Sequence, residues 1–323
     1  MEPVISVVVP VFQVEGYIGR MAQSLGEQTV KDFEVVLVDD ASGDNAIEVA
    51  HRSLAQSAVP HTVIEHKSNR GVAAARNTGL AAARGKNHIC VDPDDVLHPR
   101  FLERLLACQR NGGVPIALCN YRMLRDGREW RPRRGHCQIL EREEVLLRFL
   151  KRSIRVVSPA ILVDSEFARR NSLTYSQSIS FGEDVHYIWR AIAASPSLTY
   201  TDAALYGYVR RQGSTMSASS IAKVLTGYHG LRELPEAMPP GTPYEVRRWL
   251  LSRWVLGALK SSAGMHSLAD FLQLSDAMDY QEHCEQLQGF PDLRVRLLAL
   301  LLLRRRNLFY QMMGGRRLNQ TPL

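Results

Sequence analysis

Cysteine is scarce in the sequence, and no two cysteines stand in a C-x-x-C pair. The 323 residues contain only five, which are Cys90, Cys108, Cys119, Cys137 and Cys284. An odd number at wide spacing is typical neither of a secreted domain stabilised by disulfides nor of a zinc site. We therefore expect free thiols and a reducing compartment, which predicts a cytoplasmic protein.

The sequence also lacks the long apolar runs of membrane-spanning helices. Leu297 to Leu303 is apolar on every face, but about 20 such residues are needed to cross a bilayer. The start, Met1-Glu2-Pro3, has neither the positive charge nor the cleavage site of a signal peptide. The apolar run Val4–Val11 predicts a first β-strand instead, and no repeat of about 20–50 residues is present.

Acidic residues are absent from the last part of the chain. Leu293 to Leu323 contains seven arginines and no acid, so this tail carries the whole net charge of +7. The rest balances 33 basic against 33 acidic residues, which argues against a nucleic-acid surface. The tail fits an interfacial helix held by arginines to anionic lipid. It also fits a C-terminal helix docked on the protein or on a second subunit, with solvated arginines.

The first 120 residues alternate apolar β-branched runs with helical patterns. Strands are predicted at Val4–Pro10, Glu34–Asp39, His61–Glu65, Asn87–Asp92 and Val114–Asn120. Continuous apolar strands between helices indicate an α/β fold with a mostly parallel sheet covered by helices. Such a sheet binds ligands outside the carboxyl ends of its strands.

The second part of the chain is expected to pack against this sheet rather than to fold as an independent domain. A loop rich in Arg, Gly and Pro is predicted at Gly127–Gly135. Further elements are predicted at Glu141–Lys151 (helix), Val156–Val163 (strand), Asp184–Ala194 (helix) and Leu198–Arg210 (strand). After about Ser220 helical patterns follow, with an interruption at Pro235–Pro243.

An acidic turn follows the fourth predicted strand. Asp92, Asp94 and Asp95 fall within four residues, and like charges this close repel one another unless a cation binds among them. A few carboxylates that share an ion with substrate phosphates are typical of Mg²⁺ or Mn²⁺ sites. The alternative is a solvated turn whose aspartates cap the helix that begins near His98 and Pro99.

Two other segments have residues suited to a nucleotide. Asp39 and Asp40 end the second predicted strand, where a carboxylate can accept the imide N–H of uracil or thymine. An Ala-rich helix within Asn69–Gly79 carries Arg76, and arginine offers a fork of donors to a phosphate or a base edge. Taken alone, the first is an ordinary turn and the second a helix-surface arginine.

Together these segments resemble the inverting glycosyltransferase family 2, whose nucleotide-binding domain has the GT-A fold. The resemblance covers about residues 4–215. The matching stretches, in the family's order and spacing, are Ser6–Phe12, Gln28-Thr29, Asp32–Glu34, Val38–Asp44, Asn69–Gly79 and Val91–Asp95. The departures are Gln13 where the family usually has Asn, Pro93 where it has Ser or Ala, and Cys90 before the acidic motif. Pro93 bears on the shape of the turn rather than on its chemistry.

The resemblance implies a role for each matching residue. The residues implied to line the base and ribose are Pro10, Phe12 and Asp40, with Arg76 beside them. Asp40 is preferred to Asp39 because Asp39 still belongs to the strand. The implied D-x-D motif for Mn²⁺ or Mg²⁺ is Asp92 and Asp94, and Asp95 contacts the donor sugar or the metal.

The implied catalytic base lies about ninety residues further on. Inverting transfer needs a group that takes the proton of the acceptor hydroxyl as it attacks the anomeric carbon. Gly182-Glu183-Asp184 matches the family's Glu-Asp motif, so Asp184 is the implied base and Glu183 contacts acceptor or sugar. Without the upstream motifs, this aspartate would be only a helix cap. His186 either touches the acceptor or lies on the helix surface.

The aromatic segment Tyr206–Ser217 resembles the strand and the Arg-x-x-Ser turn that close the family's active site. Arg211 and Ser214 are the implied donors that clamp the diphosphate and order a lid. The alternative is an edge strand whose tyrosines pack on the sheet and whose arginines are solvated.

The resemblance implies an enzyme that transfers a hexosyl or N-acetylhexosaminyl group from a UDP- or dTDP-sugar to a glycan or glycolipid. The setting it implies is bacterial cell-surface polysaccharide or lipopolysaccharide synthesis. The implied location is the cytoplasm or the inner face of the cytoplasmic membrane. Residues 1–120 would bind the nucleotide sugar and residues 121–220 the acceptor, followed by a helical region at 221–323.

Two other functions stay open. A sugar-nucleotide nucleotidyltransferase would show a Gly-rich loop with Lys or Arg after the first strand, where this chain has Val11–Glu15. A non-catalytic protein could bind membrane or nucleic acid through the tail, although intact Asp94 and Asp184 argue against a lost activity.

Overall fold

A computed structural model describes residues 2–124, 135–154, 157–209, 220–234, 238, 242–264 and 266–315. The chain divides into two units. Unit 1 is formed by Met1–Val145, Ile154–Gln177 and Glu183–Arg211, and unit 2 by Leu146–Ser153, Ser178–Gly182 and Gln212–Leu323. The sheet lies in unit 1.

The described part of unit 1 contains a nine-stranded sheet. Its strands are β1 (Ile5–Val11), β2 (Phe33–Asp39), β3 (His61–Glu65), β4 (Asn87–Cys90), β5 (Val96–Leu97), β6 (Ile116–Leu124), β7 (Cys137–Glu141), β8 (Ile161–Asp164) and β9 (Ser197–Val209). Their order is β3-β2-β1-β4-β8-β6-β9-β5, and β7 pairs with β9. The first four strands pair in parallel, whereas β8 is antiparallel to both β4 and β6.

β1 lies at the centre of the parallel part. All seven of its residues are buried, and its valines suit a strand that is covered on both faces. It pairs with β2 on one edge and with β4 on the other. The chain therefore moves to opposite sides of β1, and such a switch leaves a crevice at the carboxyl ends of the strands.

The helices that connect or follow these strands are α1 (Glu15–Gly26), α2 (Ala46–Gln56), α3 (Val72–Ala82), α4 (Phe101–Gly112), α5 (Arg142–Leu150), α6 (Ser165–Arg170) and α7 (Glu183–Ala194). α1 shows why they cover the sheet. Its residues Ile18, Met21, Ala22 and Leu25 recur at helical spacing and are all buried. They pack in the same hydrophobic core as the alternate residues of β1 that point to one face of the sheet.

The predicted α/β fold is confirmed, and individual elements are corrected. The strand predicted at Val156–Val163 begins only at Ile161, because Ser158–Ala160 forms a 3₁₀ turn around a proline, which has no N–H for a ladder. β9 lies inside the sheet, between β6 and the strands β5 and β7, so the edge-strand alternative is wrong. β7 was not predicted, and most of the predicted loop 127–135 lies outside the described residues.

Cys108 of α4 and Cys137 of β7 form a disulfide, with their Cα atoms 5.6 Å apart. The expectation of free thiols is therefore wrong for this pair, whereas Cys90, Cys119 and Cys284 are free and buried. Spacing could not show the bond, because 29 residues separate the two cysteines and only the fold brings them together. The cysteine argument for a reducing compartment no longer holds, and the cytoplasmic location stays a prediction.

The helices described in unit 2 are α8 (Ile221–Arg232), α9 (Tyr244–Ser262), α10 (Leu268–Ala277), α11 (Tyr280–Gln286), α12 (Leu293–Arg304) and α13 (Arg306–Tyr310). A buried polar network links three of them. Ser252 Oγ lies 3.0 Å from His283 Nδ1, and the Tyr228 hydroxyl donates to Asp279 Oδ2 at 2.9 Å. Across the described ranges, no helix combines the length and the apolar character needed to cross a membrane.

Candidate active site

The loops after β1 and β2 are joined to each other at the carboxyl edge of the sheet. Gln13 N donates to Ser42 Oγ at 3.1 Å, and Glu15 N donates to Asp44 Oδ2 at 3.0 Å. These bonds fix the edge of the crevice where the sequence predicts a nucleotide.

Pro10 and Phe12 lie at the end of β1 and directly after it. Pro10 is buried beyond Val8, where the pairing with β4 ends, so its missing N–H costs no ladder bond on that side. Phe12 is 41% exposed, although it follows a fully buried strand. An exposed aromatic ring at this edge offers a face on which a base can stack.

Asp40 is buried, and three donors already surround its carboxylate. Oδ1 accepts from Arg70 N at 2.8 Å and lies 2.7 Å from His66 Nδ1, and Oδ2 accepts from Gly71 N at 2.7 Å. The other ring nitrogen of His66 lies 2.9 Å from Thr78 Oγ1. Asp40 therefore holds the segment that leads into α3, and little of its acceptor capacity is left for a ligand.

Asp39 is the last residue of β2 and is half-buried. Its Oδ1 accepts from Ser42 N at 2.9 Å, and no donor from the described residues reaches Oδ2. Of the two neighbouring aspartates, Asp39 is therefore the one that keeps an oxygen open.

Arg76 connects the acidic turn to the Glu-Asp motif. Its side chain is buried, Nη2 donates to Asp92 Oδ1 at 2.9 Å, and Nη1 donates to Glu183 Oε1 at 3.0 Å. Burial alone would lower the pKa of Arg76, but Asp92 and Glu183 help to raise it well above the usual value, so the guanidinium stays charged. Glu183 is 107 residues away in sequence, and neither ion pair was predicted.

Tyr175 fixes the position of Arg76. The guanidinium carbon lies 5.0 Å from the centre of the Tyr175 ring, within the range of a cation–π contact. Asn77 holds the backbone of Tyr175 with both atoms of its amide, at 2.7 and 2.9 Å. Ser158 lies 2.5 Å from the tyrosine hydroxyl, and Tyr187 stacks on the ring at 4.2 Å. Sequence reasoning missed Tyr175 because it lies outside every motif.

The acidic turn contains two half-buried carboxylates, Asp92 and Asp94, and a buried one, Asp95. Asp95 accepts hydrogen bonds from the Tyr206 hydroxyl and from Val209 N, the latter at 2.8 Å. Burial, with Asp92 and Asp94 close by, raises the pKa of Asp95 to about 8. Asp95 thus ties the turn to β9, and its contact with sugar or metal stays a prediction.

Asp92 and Asp94 suit a divalent cation that is shared with a phosphate. Burial raises the pKa of Asp95 most, and the charges of Asp92 and Asp94 raise it further. A cation bound among the three carboxylates would relieve this second effect. Within the part of the chain that is described, no three His, Cys, Asp or Glu side chains are arranged to hold a metal by themselves. The two carboxylates therefore fit Mg²⁺ or Mn²⁺ when substrate phosphate and water complete the coordination.

Asp184 has the titration expected of a general base. It is the second residue of α7 and is half-buried. Burial and the charge of Glu183 raise the pKa of Asp184 to about 6, although Arg76 acts in the opposite direction. A carboxylate with a pKa near neutral pH is ionised at pH 7 and still basic enough to take a proton.

Gly182 precedes the Glu183-Asp184 motif, and His186 follows it. Gly182 has a φ of +90°, a conformation that other residues rarely adopt. His186 is half-buried rather than solvated, and its buried Nδ1 has no hydrogen-bond partner in the described structure. Burial, with Arg190, lowers the pKa of His186 to about 4, so the ring is neutral at pH 7, and its contact with the acceptor stays a prediction.

The closing segment is only partly described. Burial, with Asp95 nearby, raises the pKa of Tyr208 to about 12, so this hydroxyl of β9 stays protonated. Arg211 and Ser214 lie outside the described residues, and their role as a diphosphate clamp stays a prediction.

One matching stretch lies away from the crevice and has a structural role. Gln28 is fully buried, and its Nε2 donates to Ser24 O and to His98 O at 2.9 and 3.0 Å. Its Oε1 accepts from Leu102 N at 3.1 Å. Gln28 therefore ties the end of α1 to the start of α4.

The sequence profile of glycosyl transferase family 2 matches residues 6–173, which is just over half of the chain. The chain belongs to glycosyl transferase family 2. The matched part contains the loops after β1, β2 and β4 and the helix that carries Arg76, whereas Glu183 and Asp184 lie beyond it.

Curated relatives of this family 2 chain are glycosyltransferases. EpsJ of Bacillus subtilis (strain 168) is 29% identical over 213 residues, which cover 64% of this chain and 61% of EpsJ. The chain spans only 34% and 33% of two other relatives, from the same organism and from Escherichia coli (strain K12).

Two solved structures with the same fold contain a bound nucleotide sugar. S. aureus TarS in complex with UDP-GlcNAc superposes with a TM-score of 0.69 at 19% identity, covering 98% of this chain and 91% of the TarS chain. A mannosyltransferase of Pyrobaculum calidifontis in complex with GDP-Man and Mn²⁺ has a TM-score of 0.57 at 16% identity, covering 100% and 89%. The predicted GT-A fold of the family 2 chain is thus confirmed.

Proposed function

We propose that this chain transfers a hexosyl or N-acetylhexosaminyl group, with inversion, from a UDP- or dTDP-sugar to an acceptor hydroxyl. The observation that carries the proposal is the Arg76 bridge, which joins Asp92 to Glu183, the neighbour of Asp184. A base and a leaving-group site must flank the same anomeric carbon for direct displacement, and the bridge brings their two motifs together.

Asp184 acts as the base. It takes the proton of the acceptor hydroxyl while the oxygen attacks the anomeric carbon, and the bond to the diphosphate breaks on the opposite face. One displacement inverts the configuration at that carbon. The pKa of about 6 leaves Asp184 ionised at neutral pH, as this step requires.

Asp92 and Asp94 are proposed to hold Mn²⁺ or Mg²⁺, which would neutralise charge on the leaving diphosphate. The Mn²⁺ in the mannosyltransferase of the same fold supports this assignment. Arg76 keeps a fixed positive charge beside Asp92, and we propose that Arg211 and Ser214 also bind the diphosphate.

We propose that Phe12 stacks on the nucleotide base and that Asp39 accepts its imide N–H. Asp39 replaces Asp40 in this role because Asp40 is already engaged with Arg70, Gly71 and His66. The UDP-GlcNAc bound to TarS supports a uridine nucleotide.

The proposed acceptor is a hydroxyl of a glycan or glycolipid in cell-surface polysaccharide or lipopolysaccharide synthesis, a setting that rests on the family resemblance. An acceptor contact of His186, in the first turn of α7, is part of the same proposal. No observation supports the nucleotidyltransferase or the non-catalytic binding protein. The loop after β1 has no phosphate-binding glycines, and a protein that only binds has no need of the raised pKa of Asp184.

The proposal is tested by measuring nucleotide release from a panel of UDP-, dTDP- and GDP-sugars, with Mn²⁺ and a mixture of mono- and disaccharide acceptors. Asp184→Asn should slow release by about 10²–10⁴-fold, the usual contribution of a general base, and change donor affinity by less than about threefold. Asp32→Asn, at an exposed aspartate, is the matched control and should behave as wild type. Turnover retained by Asp184→Asn would refute its role, and NMR of the product anomer tests inversion.

A further inference from the structure

Helix α12 has two apolar faces, and the described part of the chain covers only one of them. Val295, Ala299 and Leu302 are buried. Leu293, Leu297 and Leu300 are 57%, 55% and 40% exposed. The two tail alternatives raised by the sequence are therefore not exclusive, because the helix docks by one face and presents the other.

The exposed leucines form a single stripe. At about 100° per residue, Leu293, Leu297 and Leu300 fall within an arc of about 60°, roughly opposite the buried face. Past the end of α12, Leu308 and Met312 are also exposed, at 44% and 61%. A contiguous apolar surface of this kind marks an interaction site rather than scattered exposure.

Arginines border the stripe. Arg294 and Arg296 fall on its two sides by helical spacing, and Arg304 and Arg305 lie at its C-terminal end. In the described tail, only Arg306 has an acidic partner, Asp276. The other four arginines have no ion pair with a described residue, and residues 293–315 contain no acid.

This pattern selects a bilayer over a second copy of the chain. A twofold contact through this face would bring the same unpaired arginines of two copies together, and like charges oppose such a contact. An anionic lipid surface suits both the exposed leucines and the unpaired arginines. The leucines enter the acyl boundary while the arginines reach the phosphates. A helix of 12 residues is about 18 Å long, too short to cross the membrane but long enough to lie in its plane.

We propose that the outer face of α12, formed by Leu293, Leu297 and Leu300 with their flanking arginines, binds anionic phospholipid membranes. The contact is independent of the proposed transfer reaction, since it needs neither donor nor acceptor. It would hold the enzyme at a surface where a lipid-linked acceptor is available.

The test is flotation of the full chain with vesicles of phosphatidylcholine alone or mixed 3:1 with phosphatidylglycerol. Wild type should float with the anionic vesicles at least tenfold more than with the neutral ones, and less at 0.5 M salt. The triple variant Leu293→Ser, Leu297→Ser, Leu300→Ser and the double variant Arg304→Gln, Arg305→Gln should each lose at least tenfold. Their thermal unfolding is compared with that of wild type to show that they fold.

Two controls match these changes. Leu268→Ser replaces a leucine of α10 that is 37% exposed, and Arg169→Gln replaces an arginine of α6 whose side chain is 71% exposed. Both should float as wild type does. No flotation of wild type, or equal flotation of the folded triple variant, would overturn the proposal. So would a wild-type dimer in sedimentation that the triple variant loses without any vesicle binding, because the face would then be a subunit interface.

Discussion

Arg76 carries a charge that burial penalises, and its neighbours offset that penalty. Two carboxylates and the ring of Tyr175 surround it, yet its Nε has no partner in the described structure. Buried ion pairs of this kind contribute little net stability, but removing one partner leaves an uncompensated charge. The arrangement is thus better explained by positioning than by stability.

Replacing Asp184 with Asn should stabilise the protein at neutral pH while it slows transfer. The native fold raises the pKa of Asp184 from 3.8 to about 6, so the ionised form destabilises the native state above about pH 6, and this effect disappears below about pH 4. A pKa difference of about two corresponds to at most about 3 kcal/mol. Urea unfolding at pH 7 and pH 4 measures the difference, and Asp32→Asn serves as the control. Equal stability of variant and wild type at pH 7 would show that the Asp184 carboxylate is not destabilised by burial.

Asp39→Asn and Asp40→Asn should separate ligand binding from local structure. Asp40→Asn weakens the bonds to Arg70 and Gly71 and should lower the free energy of unfolding by about 1–3 kcal/mol. Asp39→Asn should leave stability nearly unchanged and weaken UDP binding by about tenfold. Calorimetric titration with UDP and Mn²⁺, beside urea unfolding, measures both effects. The reverse pattern would return the base contact to Asp40.

At the scale of elements, the crevice is built from loops that the strands hold at fixed positions. Asp95 links the turn after β4 to β9, and Asp40 links the end of β2 to the start of α3. Both aspartates lie in matching stretches of the family, and both bond to backbone N–H groups. The same acidic residues that suggest ligand chemistry in the sequence therefore also stabilise the loops.

The disulfide between α4 and β7 gives a prediction of its own. Protein purified without reductant and then denatured should show three reactive thiols, Cys90, Cys119 and Cys284, and five after reduction. Cys108→Ala with Cys137→Ala should lower the free energy of unfolding by about 3–4 kcal/mol, the loop-closure value for a separation of 29 residues. Cys284→Ala, at a free cysteine, is the comparison for the thiol count and should leave two thiols before reduction. Five thiols in the unreduced protein would show that the bond does not form.

At the scale of the whole molecule, metal removal should abolish the stabilisation that UDP gives to the native state. UDP with Mn²⁺ at about 100 times its Kd adds about 2.7 kcal/mol to a native state that binds it, which corresponds to a rise in Tm of about 5 °C. EDTA should abolish this rise, and so should Asp94→Ala, whereas Asp32→Ala should keep it. A rise that persists in EDTA would show that UDP binds without the metal. Differential scanning fluorimetry suffices for the comparison.

The location of the excess positive charge is also a property of the whole molecule. The tail carries the excess of arginine, and in unit 2 the described arginines of α12 border an exposed leucine stripe. The sequence located this charge but could not show which side of α12 would be covered. Both faces are apolar, so periodicity alone does not distinguish them.

The sequence by itself determined the α/β class, most strand positions and the order of the motifs, because these follow from local periodicity and from short segments of fixed spacing. It also placed Asp92 and Asp94 directly after a strand and Asp184 at the start of a helix. The free Cys108 and Cys137 were an error, because their bond depends on a contact between distant parts of the chain. The start of β8 was also misplaced, because a turn around Pro159 interrupts the strand. Of the two alternatives for β9, the edge strand is excluded by strand neighbours that are far away in the chain.

Only the tertiary structure decided that Arg76 pairs with Asp92 and Glu183, that Asn77 and Ser158 hold Tyr175 beneath it, and that Asp40 is already engaged. These contacts join residues up to 107 positions apart, and no local pattern encodes them. The electrostatics of the site follow from the same contacts, since the pKa of about 6 at Asp184 arises from burial and from neighbouring charges that the fold brings together.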